Sequence, residues 1–203
     1  MMYTIRLPFF LRLPIKNLFW RKPQAHKTVY LSFDDGPIPE VTPWVLELLE
    51  RENIKATFFC VGENVQKHPD VFQQLIDAGH RVGQHTYNHL PAFKTRNKTY
   101  RENINKADKL IQSPLFRPPH GQIRLSQILA MRHQYRIVLW DVLSADFDQS
   151  ISPEQCLNNV TQHVRNGSVI VFHDSLKAEK NLKYALPRAI QFMKEQGYRF
   201  ALI

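Results

Sequence analysis

Acidic residues are missing from the first 33 positions of the chain, although the whole sequence contains 18 of them and Asp34 is the first. The same stretch carries six lysines and arginines, which contribute to the net charge of +9. Cations at Arg12 and Lys16 interrupt its apolar residues, so the stretch lacks the continuous apolar core of a secretory signal peptide. We therefore interpret residues 1–26 as a basic, apolar strap packed under one domain formed by residues 27–203.

Membrane contact is the alternative interpretation of this strap. Residues 1–22 mix apolar side chains with cations, as segments that rest on anionic lipid do. Pro8 and Pro14 count against one continuous amphipathic helix, because proline removes a helix hydrogen bond. We prefer the packed strap, and peripheral contact of residues 1–22 with an anionic membrane stays open.

Long apolar runs and cysteines are also scarce. No run approaches the roughly 18 apolar residues of a membrane-spanning helix, so without an export signal we expect a cytoplasmic or peripherally membrane-associated protein. The two cysteines, Cys60 and Cys156, fit reduced packing residues better than a disulfide framework. No helix-turn-helix, zinc-finger or RNA-binding motif accompanies the positive charge, so no nucleic-acid partner is expected. The oligomeric state is left open.

Strand-like and helix-like segments alternate through the rest of the chain. Seven apolar strand-like runs occur, at residues 28–33, 55–61, 80–86, 115–119, 136–142, 168–174 and 198–203. Helical patterns lie between them. One begins where Thr42, a predicted N-cap, precedes Pro43, and another covers residues 65–80 with a stop at Gly79. Such strand–helix repeats predict a mainly parallel sheet with helices outside it.

Polar residues of chemical interest follow at least five of these strands. They are Asp34 and Asp35 on the first, His85 on the third, Arg117 on the fourth, Asp146 after the fifth and His173 on the sixth. Only a barrel gathers so many carboxyl ends of strands around one opening. We therefore predict an α/β fold in which about seven strands close into a (β/α) barrel similar to a TIM barrel, rather than an open doubly wound sheet, with the active site at the carboxyl ends of the strands.

The segment YLSFDDGP ends in two adjacent carboxylates, Asp34 and Asp35. Two like charges this close repel each other unless a partner offsets them. Asp-Asp-Gly-Pro is also good turn chemistry with no further purpose. In the functional alternative, one carboxylate binds a cation while the other takes a proton from water.

His85 and His89 in HTYNH are the only pair with i,i+4 spacing among the nine histidines. This spacing places two imidazoles on one face of a helical turn. Taken alone, the pair is more simply a surface feature. With a carboxylate from another strand end, it gives the two-histidine, one-aspartate set of a catalytic zinc site, which leaves a coordination position for water.

Arg117 in RPPHG and His173 in VIVFHD each have an ordinary and a catalytic interpretation. Arg117 is either a surface arginine or a group that keeps a carboxylate ionised. The prolines and Gly121 of the same motif suit a stiff loop that presents a backbone N–H to an oxyanion. His173 is either a core histidine or a general acid beside Asp146 or Asp174.

Together, LSFDDGP, HTYNH, RPPHG, the pair Asp146–Phe147 and VIVFHD resemble the five motifs of the polysaccharide deacetylase family. This is the NodB-homology group, also called carbohydrate esterase family 4. The similarity extends from about residue 27 to the C-terminus, and it implies a distorted (β/α) barrel with fewer than eight strands. It also implies metal-dependent removal of N-acetyl groups from N-acetylglucosamine-type residues of a glycan such as a chitooligosaccharide or a peptidoglycan-like polymer.

The resemblance further implies roles for single residues. Asp35, His85 and His89 match the ligands of one divalent metal ion, usually zinc, with cobalt or another transition metal as alternatives. Asp34 matches the general base, Arg117 the residue that tunes this base, His173 the catalytic acid and Asp146 the carboxylate that orients the acid. The backbone N–H of His120 matches the oxyanion donor.

Three residues depart from the family pattern. His120 stands where relatives generally have tyrosine, Phe147 where tryptophan usually follows the aspartate, and Leu143 where an acid is common. We expect Phe147, Pro119 and Gly121 to line the substrate site. Because no catalytic group is replaced, the departures bear on which glycan is bound. Hydrolysis of O-acetyl esters and a catalytically silent sugar-binding protein remain the alternative functions.

Overall fold

The structure, a computed structural model, describes residues 4–6 and 17–203. This part of the chain contains nine strands: β1 (Leu18–Phe19), β2 (Thr28–Asp34), β3 (Thr57–Cys60), β4 (Arg81–Gln84), β5 (Leu115–Phe116), β6 (Arg136–Val138), β7 (Val142–Leu143), β8 (Val169–His173) and β9 (Arg199–Phe200). It also contains seven α-helices: α1 (Thr42–Arg51), α2 (Gly62–Lys67), α3 (Pro69–Asp77), α4 (Asn97–Ile111), α5 (Leu125–Met131), α6 (Pro153–Thr161) and α7 (Glu179–Glu195).

Eight of the strands form one hydrogen-bonded series in the order β1-β6-β5-β4-β3-β2-β8-β7, and β9 pairs with the start of β2. The pairings between these strands are parallel. Strands β6 and β7 lie near opposite ends of the series, and only residues 139–141 separate them in sequence. The chain itself therefore brings the two ends of the series together. The predicted parallel α/β architecture is confirmed as a distorted barrel.

Two strand predictions differ from the structure in detail. The run at 136–142 is interrupted, so that β6 pairs with β5 while β7 pairs with β8. A further strand, β1, was not predicted and lies beside β6. Its two residues belong to the basic N-terminal segment, where the short apolar stretch carries no clear strand period.

Two helix predictions also need correction. The helix predicted over residues 65–80 is two helices, α2 and α3, because Pro69 starts a new first turn and cannot continue the preceding one. Thr42 is not the N-cap of α1, because Val41 takes that position. The Thr42 hydroxyl has other partners, which are described below.

The N-terminal strap lies partly outside the described residues. The alternative of membrane contact through residues 1–22 concerns mostly residues outside the described part and stays open, and the domain boundary at residue 26 stays a prediction. Leu18, within the described part, is buried in an apolar cluster with residues of β5 and β6. Among residues 4–6 and 17–203, no helix is both long and apolar enough to cross a bilayer. Cys60 and Cys156 are buried and free, as predicted.

The side chains of β2 alternate between two environments. The odd-numbered residues from Val29 to Phe33 belong to the large apolar cluster that includes the inner faces of α1 and α7. Tyr30 belongs to a separate cluster with residues of β3, β5, β6 and β8. Ser32 and Asp34 follow Tyr30 on the same face, because side chains along a strand alternate. This face of β2 therefore changes from apolar to polar towards the carboxyl end, where Asp34 lies.

Candidate metal centre and active site

Asp35, His85 and His89 meet just beyond the carboxyl ends of β2 and β4. The Oδ1 atom of Asp35 lies 3.4 Å from Nε2 of His89 and 3.9 Å from Nε2 of His85. One ligand atom from each residue can be chosen so that all three lie within 4.8 Å of one another. The structure therefore brings together the three residues predicted to bind a metal ion.

A backbone contact fixes the ring of His85. Its Nδ1 atom lies 2.7 Å from the carbonyl oxygen of Arg117. Because a carbonyl can only accept, we assign the ring proton to Nδ1, which leaves Nε2 as the unprotonated nitrogen facing Asp35. Burial, with a contribution from His89, holds the pKa of His85 well below its usual value. The imidazole is therefore neutral at pH 7, which is the state a metal ligand requires.

The carboxylate of Asp35 has one atom without a hydrogen-bond partner. Oδ1 is buried and accepts no hydrogen bond from the described residues, although a buried charge ordinarily has a partner. A divalent cation held by Asp35, His85 and His89 would supply that partner. One oxygen with two imidazole nitrogens is a donor set that zinc accepts. The residues therefore fit a metal ion.

Arg117 is fully buried inside the barrel. Its Nη1 lies 2.5 Å from Oδ1 of Asp34 and 3.0 Å from the Ser32 hydroxyl, and its Nε donates to the carbonyl oxygen of Val138 at 3.2 Å. The guanidinium also lies 4.0 Å from the ring centroid of Phe59. Burial lowers the pKa of Arg117 and Asp34 raises it, and an arginine stays charged under such opposing effects. The surface interpretation of Arg117 is thus wrong.

The two adjacent carboxylates, Asp34 and Asp35, contact different partners. Arg117 offsets the charge of Asp34, whereas Asp35 faces His85 and His89. The second oxygen of Asp34, Oδ2, lies 4.0 Å from Nε2 of His85. Asp34 therefore presents one oxygen to the ligand group while Arg117 holds the other.

His173, at the end of β8, is paired with Asp146. Its Nδ1 lies 2.7 Å from Oδ1 of Asp146, and its backbone N–H donates to Oδ2 at 2.7 Å. Burial lowers the pKa of His173, but the Asp146 carboxylate, with smaller contributions from Asp35 and Asp34, raises it to about 9. His173 is therefore protonated at pH 7. Its Nδ1–H is used by Asp146, which leaves Nε2–H for another acceptor.

Residues Pro119–Gly121 form a 3₁₀ turn beside the histidines. The ring of His120 lies 4.6 Å from that of His89 in an edge-on arrangement, and burial and His89 lower the pKa of His120. The φ angles of His120 and Gly121 are both positive, 58° and 65°. A Cβ atom on Gly121 would lie 2.3 Å from the indole of Trp140. Glycine is thus required where the turn packs on this indole.

The ring of Phe147 packs against the ring of His173. The two rings are 4.9 Å apart and edge-on, and Nζ of Lys177 lies 5.6 Å from the Phe147 ring. The half-buried Phe147 and the turn at Pro119–Gly121 both lie close to the histidines of the site. Their predicted contact with substrate stays a prediction.

Comparison with known proteins identifies the relatives of this chain. A sequence profile described as polysaccharide deacetylase matches residues 21–137. A peptidoglycan-N-acetylglucosamine deacetylase of Bacillus cereus is 32% identical over 197 residues, which cover 94% of this chain and 92% of the relative. The chain belongs to the polysaccharide deacetylase family. A chitooligosaccharide deacetylase of Azorhizobium caulinodans is 31% identical over 160 residues, 74% of this chain and 75% of that protein.

The deacetylase fold is shared as well. A crystal structure of a peptidoglycan N-acetylglucosamine deacetylase in complex with 4-naphthalen-1-yl-N-oxidanyl-benzamide superposes with a TM-score of 0.87 and 32% identity. The match covers 93% of this chain and 91% of that chain. Family membership classes this chain as a hydrolase, and the family resemblance noted in the five motifs is confirmed.

Two residues within the deacetylase motifs were missed or left open by sequence reasoning. Ser32 contacts Arg117, and its signal was available: it is a polar residue in an apolar strand, two positions before Asp34. Asp174 was an alternative partner of His173. The structure gives that role to Asp146, and it directs Asp174 to the turn after Asp35.

Proposed function

We propose that this chain is a metal-dependent N-deacetylase that removes N-acetyl groups from N-acetylglucosamine-type residues of a polysaccharide or oligosaccharide. The observation that supports this most is the position of Asp34 and His173, which lie opposite each other on neighbouring strands beside the Asp-His-His group. Hydrolysis of an amide needs an activated carbonyl, a proton acceptor and a proton donor. The Asp-His-His group, Asp34 and His173, which would supply these three functions, are adjacent.

Asp35, His85 and His89 would hold one divalent cation, and their nitrogen and oxygen atoms suit zinc, with cobalt as a second candidate. When bound, such a cation acts as a Lewis acid towards a carbonyl oxygen and lowers the pKa of water. The unprotonated Nε2 of His85 and the Oδ1 of Asp35, which accepts no hydrogen bond from the described residues, are available as donor atoms.

Asp34 is the proposed general base. The ion pair with Arg117 holds its Oδ1, and its Oδ2 faces the ligand group. It takes one proton from the attacking water while the oxygen of that water bonds to the acetyl carbon. The burial of Arg117 inside the barrel holds the carboxylate in one orientation.

His120 and His173 would serve the later part of the reaction. The backbone N–H of His120, in the turn held by Gly121 and Trp140, donates to the oxyanion of the tetrahedral intermediate. Nε2–H of His173 then gives its proton to the amide nitrogen as the C–N bond breaks. The products are acetate and a free amine on the sugar, and Asp146 stabilises the imidazolium before the transfer.

The protonated state of His173 favours an amide over an ester as substrate. An amine leaves only when its nitrogen is protonated, whereas an alkoxide leaves more readily and depends less on an acid. The names of the relatives point to peptidoglycan and chitooligosaccharides as glycans to test.

Acetate release by the zinc-loaded chain tests the proposal. We expect release from N-acetylglucosamine tetramers or from peptidoglycan fragments, with a higher kcat/KM than from acetylated xylan, which carries only O-acetyl esters. Release from the xylan alone would identify an ester hydrolase. A chain that binds zinc and the glycans but releases no acetate would be the catalytically silent alternative.

A further inference from the structure

One buried residue that the proposed mechanism does not use links the end of β8, which carries His173, to the end of β2, which carries Asp34. Asp174 directly follows His173 and is 1% exposed. Its backbone N–H donates to the carbonyl oxygen of Asp34 at 3.1 Å. Its carboxylate contacts the connection between β2 and α1, which contains Asp35.

Both carboxylate oxygens of Asp174 accept hydrogen bonds, one from that connection and one from the first residue of α1. Oδ1 accepts from the Gly36 N–H at 3.1 Å, and Oδ2 accepts from the Thr42 hydroxyl at 2.6 Å. The Thr42 oxygen in turn accepts from the Ile38 N–H at 2.8 Å. Because Gly36 N–H is buried, removal of the carboxylate would leave this donor without a partner.

The space around Gly36 is matched to this carboxylate. A Cβ atom at position 36 would lie 2.0 Å from Oδ2 of Asp174, so only glycine lets the carboxylate approach the backbone this closely. On its other side, the Gly36 carbonyl accepts from the Val61 N–H at 2.9 Å. The residue directly after Asp35 is thus held from two directions.

We propose that Asp174 is a positioning residue, which fixes the Asp34–Asp35 turn relative to His85 and His173 and thereby sets the metal affinity of the site. The roles of those four residues rest on the proposed function. Partners that orient metal ligands typically change metal affinity or activity by about 10- to 100-fold when they are removed. Displacement of a reacting group by about 1 Å costs a similar factor in rate.

Zinc dissociation constants of the purified full chain, measured by competition with a chromophoric chelator, test this proposal. We expect Asp174→Ala to weaken zinc binding by about 10- to 100-fold. Asp174→Asn keeps an oxygen that can accept from Gly36 N–H, so it should recover part of the affinity. Thr42→Val removes the donor to Oδ2 and the acceptor of the Ile38 N–H but keeps the Gly36 contact with Asp174, so it should give a smaller loss than Asp174→Ala.

Asp141→Asn is the matched control. Asp141 is also a fully buried aspartate that accepts from two residues, Arg165 and Ser168, but it lies at the amino end of β8. We expect Asp141→Asn to lower the free energy of unfolding and to leave zinc affinity unchanged. Wild-type affinity in Asp174→Ala, or an equal loss in Asp174→Asn, would overturn the proposal. A wild-type chain that binds zinc without releasing acetate would contradict the proposed function alone, because affinity is the readout here.

Discussion

Replacement of Asp34 with asparagine is expected to lower kcat for acetate release by about 100- to 10,000-fold, the usual contribution of a general base. An amide cannot take a proton from water at pH 7, although it has nearly the size of the carboxylate. Zinc binding should persist, because Asp35, His85 and His89 are unchanged. The measurement is kcat of the zinc-loaded variant, with the zinc dissociation constant measured on the same preparation.

The Asp34→Asn variant also loses the charge partner of the buried Arg117, and loss of one member of a buried pair typically costs about 3–5 kcal/mol of stability. Urea unfolding must therefore show that the variant is folded at the assay temperature. Asp70→Asn makes the same chemical change on the exposed surface of α3, and we expect it to keep wild-type kcat. Near-normal turnover in Asp34→Asn would remove Asp34 as the base.

Loss of the His173–Asp146 pair should have the second large effect. We expect His173→Ala to lower kcat for the amide substrate by about 100- to 10,000-fold, because the variant lacks the proposed proton donor Nε2–H. The loss for an acetyl ester should be smaller, since its leaving group depends less on a proton. Equal losses for the two substrates would contradict the assignment of His173 as the acid for the leaving amine.

The pH dependence of kcat/KM gives an independent test of this pair. With a pKa of about 9, His173 is protonated below that pH and loses its proton above it, so the wild-type rate should fall as pH rises through about 9. In Asp146→Asn the burial that lowers the pKa of His173 remains while the carboxylate that raises it is gone. The alkaline fall should therefore begin at a lower pH. An unchanged alkaline limb would show that His173 does not govern it.

Sequence patterns predicted the barrel well because its longest strands are distinct apolar runs. β2 and β8 lie where the predictions placed them, and both end on residues of the site. The two-residue strand β1 was missed because a strand this short has no period of its own, and it forms only through pairing with β6. The helix break before Pro69 was available in the sequence but was outweighed by the apolar spacing around it.

Only part of the candidate site could likewise be predicted from the sequence. The spacing of His85 and His89 is visible along the chain and indicated this pair, and the resemblance to the family motifs added Asp35 as the third ligand. Local motifs did not indicate the burial of Arg117, since it depends on contacts with β2 and β6 that only the folded barrel provides. The contacts of Asp174 join positions 132 to 138 residues apart, and no local pattern marks such a pair.

A zinc titration of the metal-stripped chain, followed by acetate release from an N-acetylglucosamine tetramer, tests the central claim most directly. We predict no release without metal, a rate that rises with added zinc, and a plateau at one equivalent. His85→Ala should require far more zinc for the same rate. Full release by the stripped chain in the presence of a chelator would contradict a metal-dependent deacetylase built on Asp35, His85 and His89.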